Sequence, residues 1–457
     1  MNKNPTVSVI IPTYNRAHPV AGRSEVCYAA TKSMRYRMSN KKEGRFTVIF
    51  LPRASWNSGD YRRSEAMADT IARRKEVELV LYINPAASPI VPIYRLMRNN
   101  GEERFQRKFL RETFRLLTIM SPFPIRIHPK FFVLTPLRVI PKKFRLRNNN
   151  GRRKNALLNL RYHLINRWLN MNTEGTRIAL ADPFRQGVSS ELDRLNCQYL
   201  AADIYDDPFD PPLASALFRS NKEHAERKKE YLSVLQKADI VFANSQHMID
   251  QYLQQEERSA YLVPSGINLD QFLINQGAVP WDLKAIESPR VGYIGNLNYS
   301  LDIDLLLYLL TENTNVNFVL IGNPSGKNGT TLTQLLGKYR NLILLGHKPH
   351  GVIPRYLQHM DVLFSFKRPD ITRGNDSLKI YEYLATGKPI VTTPVSPAES
   401  FKDSIYVARD MRQFNKYLKD ALEENNVSLQ EKRKKLAEMN TWEKRVDTIL
   451  EKISQLL

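Results

Sequence analysis

Short apolar runs alternate with longer amphipathic stretches along most of this chain, and this alternation constrains its fold more than any other feature. It occurs in two series, separated by a connector at Gln276–Pro289. Alternating strands and helices favour an open, mostly parallel sheet with helices on both faces. The predicted strands are Arg45–Leu51, Val77–Ile83, Ile125–Leu134, Arg177–Ala181, Gln198–Ile204, Asp239–Ala243 and Leu262–Ser265 in the first series, and Arg290–Ile294, Val316–Ile321, Leu342–Leu345, Asp361–Phe366, Pro389–Thr392 and Ile405–Ala408 in the second.

Two such series in 457 residues predict an α/β protein with two doubly wound, Rossmann-like lobes. Because a doubly wound sheet binds its ligand beyond the carboxyl ends of its strands, we expect a binding cleft between the lobes. The expected domains are an appendage at 1–44, an N-terminal lobe at 45–274, a C-terminal lobe at 275–430 and a C-terminal helix at 431–457. That helix is predicted to run from about Ser428 to Leu456.

The segment 375–391 predicts a loop, a helix and then a buried strand. At about 100° per residue, one face of the helix is a narrow polar stripe and the opposite face is apolar. Gly387 is placed to end the helix in a left-handed conformation. The helix N-terminus carries Lys379, and Glu382 lies one turn on, which suits a diphosphate and a sugar hydroxyl. The stripe consists of Asn375, Lys379, Glu382 and Thr386.

The formal net charge of +22 is concentrated in residues 95–154, which we call the basic segment. It has 17 Lys and Arg against three Glu, with phenylalanines interleaved. Its charge has three interpretations: a solvated face, a surface for an anionic membrane or a lipid-linked phosphate, or a nucleic-acid site. A basic and aromatic surface suits an anionic leaflet. No recognisable nucleic-acid module accompanies the charge, so we expect no nucleic-acid partner.

The sequence also bears on location. No apolar run approaches the ~18–20 residues of a membrane-spanning helix. Pro12, Asn15 and Arg16 interrupt the first apolar run, unlike a signal peptide. The two cysteines, Cys27 and Cys197, form neither a disulfide framework nor a zinc spacing. We expect a cytoplasmic protein that is peripheral to the inner face of the membrane.

Several short segments together resemble a known family. In their order and spacing they are similar to GT-B glycosyltransferases of family four, in particular a bacterial subgroup of cell-surface polysaccharide or teichuronic-acid-like synthesis. The resemblance covers about residues 45–457 and implies the GT-B fold, with two lobes facing a central cleft. The segments are Trp56–Arg63, Asp203–Asp207, Ala238–Ser245, Val263–Asn268, Val291–Asn296 and 375–391.

Residues 7–16 resemble instead the opening strand of family-two glycosyltransferases, which have the GT-A fold. That resemblance stops at Arg16, since the following residues 17–44 are polar and basic and lack the expected helix and acidic strand. We therefore interpret 1–44 as an appendage.

The family-four resemblance implies a donor site for a nucleotide-sugar, with no other cofactor. A glutamate matching Glu382 contacts the donor in the family, and a second glutamate eight residues earlier contacts the sugar. Here that earlier position is Gly374, so Asn375, Asp376 or backbone amides would hold the sugar. The alternative for Glu382 is a solvated glutamate paired with Lys379 or Lys388. The implied donor residues are Gly295, Asn296, His347, Arg373, Asn375, Ser377, Leu378, Lys379 and Glu382.

Lys379 and Arg373 are the candidates to neutralise a departing diphosphate, or else they are surface cations. The family's usual downstream Arg and Lys are missing from 296–302. Because Asp302 and Asp304 open a predicted helix without partner ligands, we expect no metal site.

On the acceptor side, aspartates follow two predicted strands of the first series. A carboxylate there could orient or deprotonate an acceptor hydroxyl, although aspartates at strand ends also cap helices. The candidate catalytic residues are Asp182, Asp203 and Asp206, with Asp207 beside them.

The predicted function is a metal-independent, hexosyltransferase-type glycosyltransferase. It would move a sugar from a nucleotide-sugar to a surface glycan acceptor, lipid-linked in our interpretation, with retention by resemblance. The alternative is a non-catalytic GT-B-like protein that binds a glycan or a partner, which the glycine at 374 keeps open.

Overall fold

The computed structural model describes residues 46–56, 63–90, 92–93, 105–137, 151–210, 214, 217–253, 259–274, 277–372 and 374–457. The predicted appendage 1–44, the resemblance at 7–16 and Arg373 lie outside these ranges. So do 95–104 and 138–150 of the basic segment.

In the described part of the chain, eight strands form the first sheet, in the order β3-β4-β2-β1-β5-β6-β7-β8. The pairs β2–β4, β1–β2, β1–β5, β5–β6 and β7–β8 are parallel, and β3 is antiparallel to β4. Strand order reverses between β1 and β5, as in a doubly wound sheet. The strands are β1 (Phe46–Leu51), β2 (Val77–Ile83), β3 (Ile125–His128), β4 (Phe131–Leu134), β5 (Thr176–Ala181), β6 (Tyr199–Ile204), β7 (Ile240–Ala243) and β8 (Ala260–Leu262).

The second sheet has six parallel strands among the described residues, in the order β11-β10-β9-β12-β13-β14. Its order reverses between β9 and β12. The two doubly wound sheets predicted from the alternation are thus confirmed. The strands are β9 (Arg290–Ile294), β10 (Asn317–Ile321), β11 (Leu342–Gly346), β12 (Val362–Ser365), β13 (Ile390–Thr392) and β14 (Tyr406–Val407).

Helices connect these strands. Several begin at a side-chain cap that the sequence supplies, such as Asp302, Asp410 and Asn426, each of which accepts a backbone N–H three residues on. The helices are α1 (Arg63–Ala72), α2 (Phe105–Met120), α3 (Gly151–Asn172), α4 (Val188–Leu192), α5 (Asn221–Lys237), α6 (Gln246–Tyr252), α7 (Asp270–Ile274), α8 (Trp281–Lys284), α9 (Ile303–Glu312), α10 (Gly326–Leu335), α11 (Ile353–Gln358), α12 (Leu378–Thr386), α13 (Met411–Glu423), α14 (Val427–Met439) and α15 (Trp442–Ser454).

The second sheet is buried on both faces, because successive side chains of a strand point to opposite sides. On β10, Phe318 and Leu320 pack into one apolar cluster, and Val319 and Ile321 pack into the other. Strands buried on both faces read as near-continuous apolar runs, which is why this series was visible in the sequence.

The chain divides into two compact units. The first comprises the described residues up to Ala202 together with Glu230–Asp239 and Leu457, and the second comprises Asp203–Lys229 and Ile240–Leu456. The expected domain limits at residues 44, 274 and 430 stay predictions.

Two predicted elements are divided in the structure, and the strand predicted at Leu262–Ser265 lies instead at Ala260–Leu262. The single strand Ile125–Leu134 is two antiparallel strands, β3 and β4, separated by a turn at Pro129–Lys130. The single C-terminal helix, predicted over Ser428–Leu456 and taken as the domain 431–457, is two helices. It breaks at Asn440–Thr441, where the Ile267 amide donates to the Asn440 carbonyl at 3.0 Å and the Trp442 amide donates to the Ile267 carbonyl at 3.1 Å.

Candidate functional site

The candidate site lies at the carboxyl ends of β9 and β12, where the strand order of the second sheet reverses. Connections leave such a point in opposite directions and open a crevice there. Gly295 directly follows β9, and Lys367 comes two residues after β12. The helix α12 contributes Lys379, whose side chain lies beside Gly295. The fold therefore brings three chain segments together at one edge of this sheet.

Gly295 permits a close approach that another residue would block. Its φ is +146°, in a region that side-chain-bearing residues rarely adopt. A Cβ at this position would lie 2.8 Å from Lys379 Nζ. The backbone after the neighbouring strand β10 is also close to Gly295, since a Cβ on Gly322 would lie 1.9 Å from the Gly295 carbonyl oxygen. Backbone and an ammonium group thus lie close together at the strand end.

Two lysines, Lys367 and Lys379, are neighbours at this site. Lys379 Nζ donates to the Tyr293 hydroxyl at 3.0 Å and lies 4.5 Å from the centre of its ring, a cation–π contact. The pKa of each lysine is lowered to about 8, chiefly by burial, and for Lys367 the charge of Lys379 contributes to that lowering. Two cations held this close repel each other, so the arrangement favours an anion that contacts both.

The N-terminus of α12 adds backbone donors. Ser377 occupies the N-cap position, with no side-chain cap hydrogen bond in the described structure. The N–H groups of Leu378 and Lys379 belong to the first turn, which has no preceding carbonyls of its own helix to bind. Such a terminus attracts negative charge. Gly387 ends the helix at φ +72°, as the sequence predicts.

Glu382 is buried on α12 and paired with a histidine. Its Oε1 lies 2.7 Å from His350 Nε2, and Glu382 is only 6% exposed. The alternative of a solvated glutamate therefore does not describe this residue. The expected histidine, His347, is exposed three residues earlier.

Gly374 has no room for a side chain. A Cβ there would lie 2.7 Å from the Cβ of Asp207 and 3.1 Å from its amide nitrogen. Of the alternatives for holding the sugar, Asp376 is engaged in the fold: it accepts from the Ser265 amide and, at 3.0 Å, from the Tyr381 hydroxyl. Asn375, half-buried beside it, and the backbone amides stay as predictions.

The remaining predicted site residues have different environments. Asn296 is exposed, and its carbonyl accepts from the Tyr293 hydroxyl at 3.4 Å. In the first unit, Asp182 is buried, paired with Arg53 and bonded to the Phe184 amide. In the second unit, Asp203 is buried at the end of β6, and Asp206 is half-buried on the following turn.

Three residues of the site are absent from the sequence-based prediction: Lys367, Tyr293 and His350. A signal existed for Lys367, because it directly follows a predicted strand of the second series, the position at which doubly wound sheets bind ligands. Tyr293 and His350 gave no comparable signal. Their roles come from contacts with residues 86 and 32 positions away.

No group of three or more His, Cys, Asp or Glu side chains within the described ranges is arranged to hold a metal ion. Metal independence stays a prediction. None of the helices that the structure describes is long and apolar enough to cross a membrane.

The architecture matches that of known glycosyltransferase structures. A sucrose-phosphate synthase from Thermosynechococcus elongatus superposes on 90% of this chain and 99% of its own, with a TM-score of 0.60 and 12% identity. Anabaena HepE, solved in complex with UDP and glucose, superposes on 89% of this chain and 99% of its own, with a TM-score of 0.57 and 13% identity. The fold is GT-B, as the sequence resemblance implies.

Sequence comparison is consistent with this class. Residues 288–424 match the family described as "Glycosyl transferases group 1", and they include the lysine pair and Glu382. A named relative is the "Putative teichuronic acid biosynthesis glycosyltransferase TuaH" of Bacillus subtilis (strain 168), 26% identical over 185 residues. The match spans 39% of this chain and 46% of that protein, less than half of its length.

Proposed function

We propose that this protein is a glycosyltransferase that moves a sugar from a nucleotide-sugar to a glycan acceptor. The observation that carries the proposal is the pair Lys367 and Lys379 at the carboxyl end of the second sheet, with Lys379 beside Gly295. A diphosphate is the anion that this geometry fits, since it has two charged groups for two ammonium ions.

The chemistry follows from where charge develops. When the bond between the sugar and the diphosphate breaks, negative charge grows on the leaving diphosphate. Fixed cations and helix amides aimed at that charge stabilise the transition state more than the ground state. Lys367, Lys379 and the first turn of α12 are such donors. The proposal therefore needs no metal ion, and EDTA is expected to leave turnover unchanged.

Glu382 is the proposed acceptor for a donor hydroxyl. Its carboxylate is already oriented by His350, so one oxygen remains to accept from a ligand. By family resemblance that hydroxyl is usually on the ribose, and the transfer is retaining. The hexosyl character of the transferred group rests on the same resemblance.

The proposed acceptor is a surface glycan, lipid-linked and reached from the cytoplasmic face of a membrane. The name of the Bacillus subtilis relative, which refers to teichuronic acid, favours a cell-envelope glycan. The basic segment favours an anionic surface, and in its described part α2 exposes Phe109 (44%) and Met120 (66%).

The test is release of nucleoside diphosphate from UDP-glucose, UDP-N-acetylglucosamine and GDP-mannose. We expect turnover of at least one donor, and a loss of ~100-fold in Glu382→Ala, because a buried charged hydrogen bond is removed. Glu438→Ala, on the exposed face of α14, is the matched control. Nucleotide protection against thermal unfolding without turnover would favour the non-catalytic alternative. If no donor is turned over and no nucleotide protects against thermal unfolding, donor binding itself is refuted.

A further inference from the structure

Asp206 follows the carboxyl end of β6 in a conformation that its residue type disfavours. Its φ is +51°, and it is the one non-glycine residue with positive φ among those that the structure describes. Aspartate tolerates this left-handed region better than most residues, but glycine adopts it far more readily. Such an outlier persists only where the surrounding structure imposes it, and it raises the question of what the side chain does.

The surroundings of Asp206 are fixed by its neighbour. Asp207 is buried and accepts from the Tyr252 hydroxyl and, at 2.9 Å, from the Phe209 amide. It also packs against Gly374, where an added Cβ would meet it at 2.7 Å. Asp207 thus anchors the turn to the loop that precedes α12. Asp206, by contrast, is half-buried and keeps some solvent access.

The charge of Asp206 acts on the site itself. It raises the pKa of Lys367, against the lowering by burial and by Lys379. The pKa of Tyr299 is also raised, first by burial and second by the charge of Asp206. All three residues belong to the second unit. The carboxylate is therefore within electrostatic reach of the proposed diphosphate position.

A carboxylate there repels the phosphate oxygens but accepts hydrogen bonds from neutral hydroxyls. The group joined directly to the diphosphate of the proposed donor is a sugar, whose hydroxyls are such donors. Resting on the proposed function, we infer that Asp206 binds hydroxyl groups of the transferred sugar and so selects the donor sugar. Its role would then be on the donor, not as a base on the acceptor.

The test compares Asp206→Asn with Asp206→Gly. Asparagine is nearly isosteric, tolerates the left-handed conformation and removes the charge. Glycine relieves the backbone strain and removes the side chain. Asp210→Asn, four residues along the same turn, is the control. The probes are the nucleotide-sugar that the wild type turns over fastest, and its free nucleoside diphosphate.

We expect both Asp206 variants to lose ~10–100-fold in kcat/KM for the nucleotide-sugar, the range for a charged hydrogen bond. Affinity for the free nucleoside diphosphate should be unchanged or tighter, because a negative charge that acts on Lys367 is gone. Asp206→Gly should also raise the Tm. A residue with a purely structural role would not give a higher Tm together with a lower kcat/KM.

Three results would overturn the inference. One is Asp206→Asn with the wild-type preference for nucleotide-sugar over nucleoside diphosphate. Another is a loss confined to the KM of the acceptor, which would return Asp206 to the acceptor side. The third is a wild type that binds neither probe, in which case the proposed function fails and this inference falls with it.

Discussion

At the scale of single residues, the chemistry of the site depends on two lysines whose charged forms are disfavoured. The pKa of Lys367 and of Lys379 is lowered to about 8, chiefly by burial. Because the two charges repel each other, loss of the proton from one lysine makes the other lysine hold its proton more tightly. A bound diphosphate would reverse this by favouring both charged forms.

Binding of UDP is therefore expected to depend on pH. Below about pH 8 both lysines are charged and binding is strongest. Above it, affinity should fall by up to roughly tenfold per pH unit for each lysine that must regain a proton. Titration calorimetry between about pH 7 and pH 9.5 measures this, with uridine as the phosphate-free control. A flat profile for UDP would contradict the role of the pair.

The folding stability of the unliganded protein should change with pH in the opposite direction to UDP affinity, rising as the pH rises. A lysine whose folded-state pKa lies below its unfolded value disfavours folding while it is charged. These two groups therefore add stability as the pH rises from about 8 toward 10.5.

The sequence predicted some site residues and not others for physical reasons. Lys379 and Glu382 belong to a helix whose periodicity places them on one stripe, which a single segment reveals. His350 meets Glu382 through a contact 32 residues apart. The crowding of Gly374 by Asp207 spans 167 positions, so no local pattern encodes it.

At the scale of elements, α12 depends on its left-handed end at Gly387. A Cβ there would lie 3.0 Å from Lys434 Cε and 3.3 Å from the Gln430 carbonyl oxygen, both on α14. The same residue thus ends one helix and lets another pack against it.

Gly387→Ala should destabilise the protein by about 1–2 kcal/mol, from the left-handed strain and the close contacts. Thermal unfolding measures this, with Gly326→Ala as a control that shares the positive φ but has open space around its added Cβ. We expect the Gly387 variant to lose more stability than the control. Equal losses would show that packing against α14 contributes nothing.

The two elements that were predicted as single but are divided in the structure share a cause. The break between α14 and α15 is fixed by hydrogen bonds to Ile267, more than 170 residues away. The local sequence also indicates it, because Asn440 is suited to the end of one helix and Thr441 caps the start of the next. In Ile125–Leu134 the turn at Pro129 was equally visible, since proline interrupts a strand. Apolar continuity outweighed both signals.

At the scale of the whole molecule, two doubly wound sheets were predictable because strands buried on both faces stand out as apolar runs. The order of those strands was not predictable, because it depends on pairings such as β9 with β12, whose paired residues are 71 positions apart. That order creates the site.

The proposed membrane association also belongs to this scale. We expect the protein to float with vesicles of phosphatidylglycerol and phosphatidylcholine, and not with phosphatidylcholine alone, at roughly 1 kcal/mol per basic residue near the surface. Binding should weaken as salt is raised. A variant with the basic residues of 126–154 changed to Gln is the control. Equal flotation with both vesicles would contradict an electrostatic role for the basic segment.

The central claim is that the lysine pair binds the diphosphate of a nucleotide donor. Titration of UDP, GDP and ADP, each against its nucleoside, tests it most directly in the double variant Lys367→Gln/Lys379→Gln. Lys327→Gln/Lys402→Gln, which changes two exposed lysines, is the matched control. The wild type and the control should prefer one diphosphate over its nucleoside by ~100-fold or more, and the double variant by less than ~10-fold, as expected from two charged hydrogen bonds. An undiminished preference in the double variant would contradict the claim.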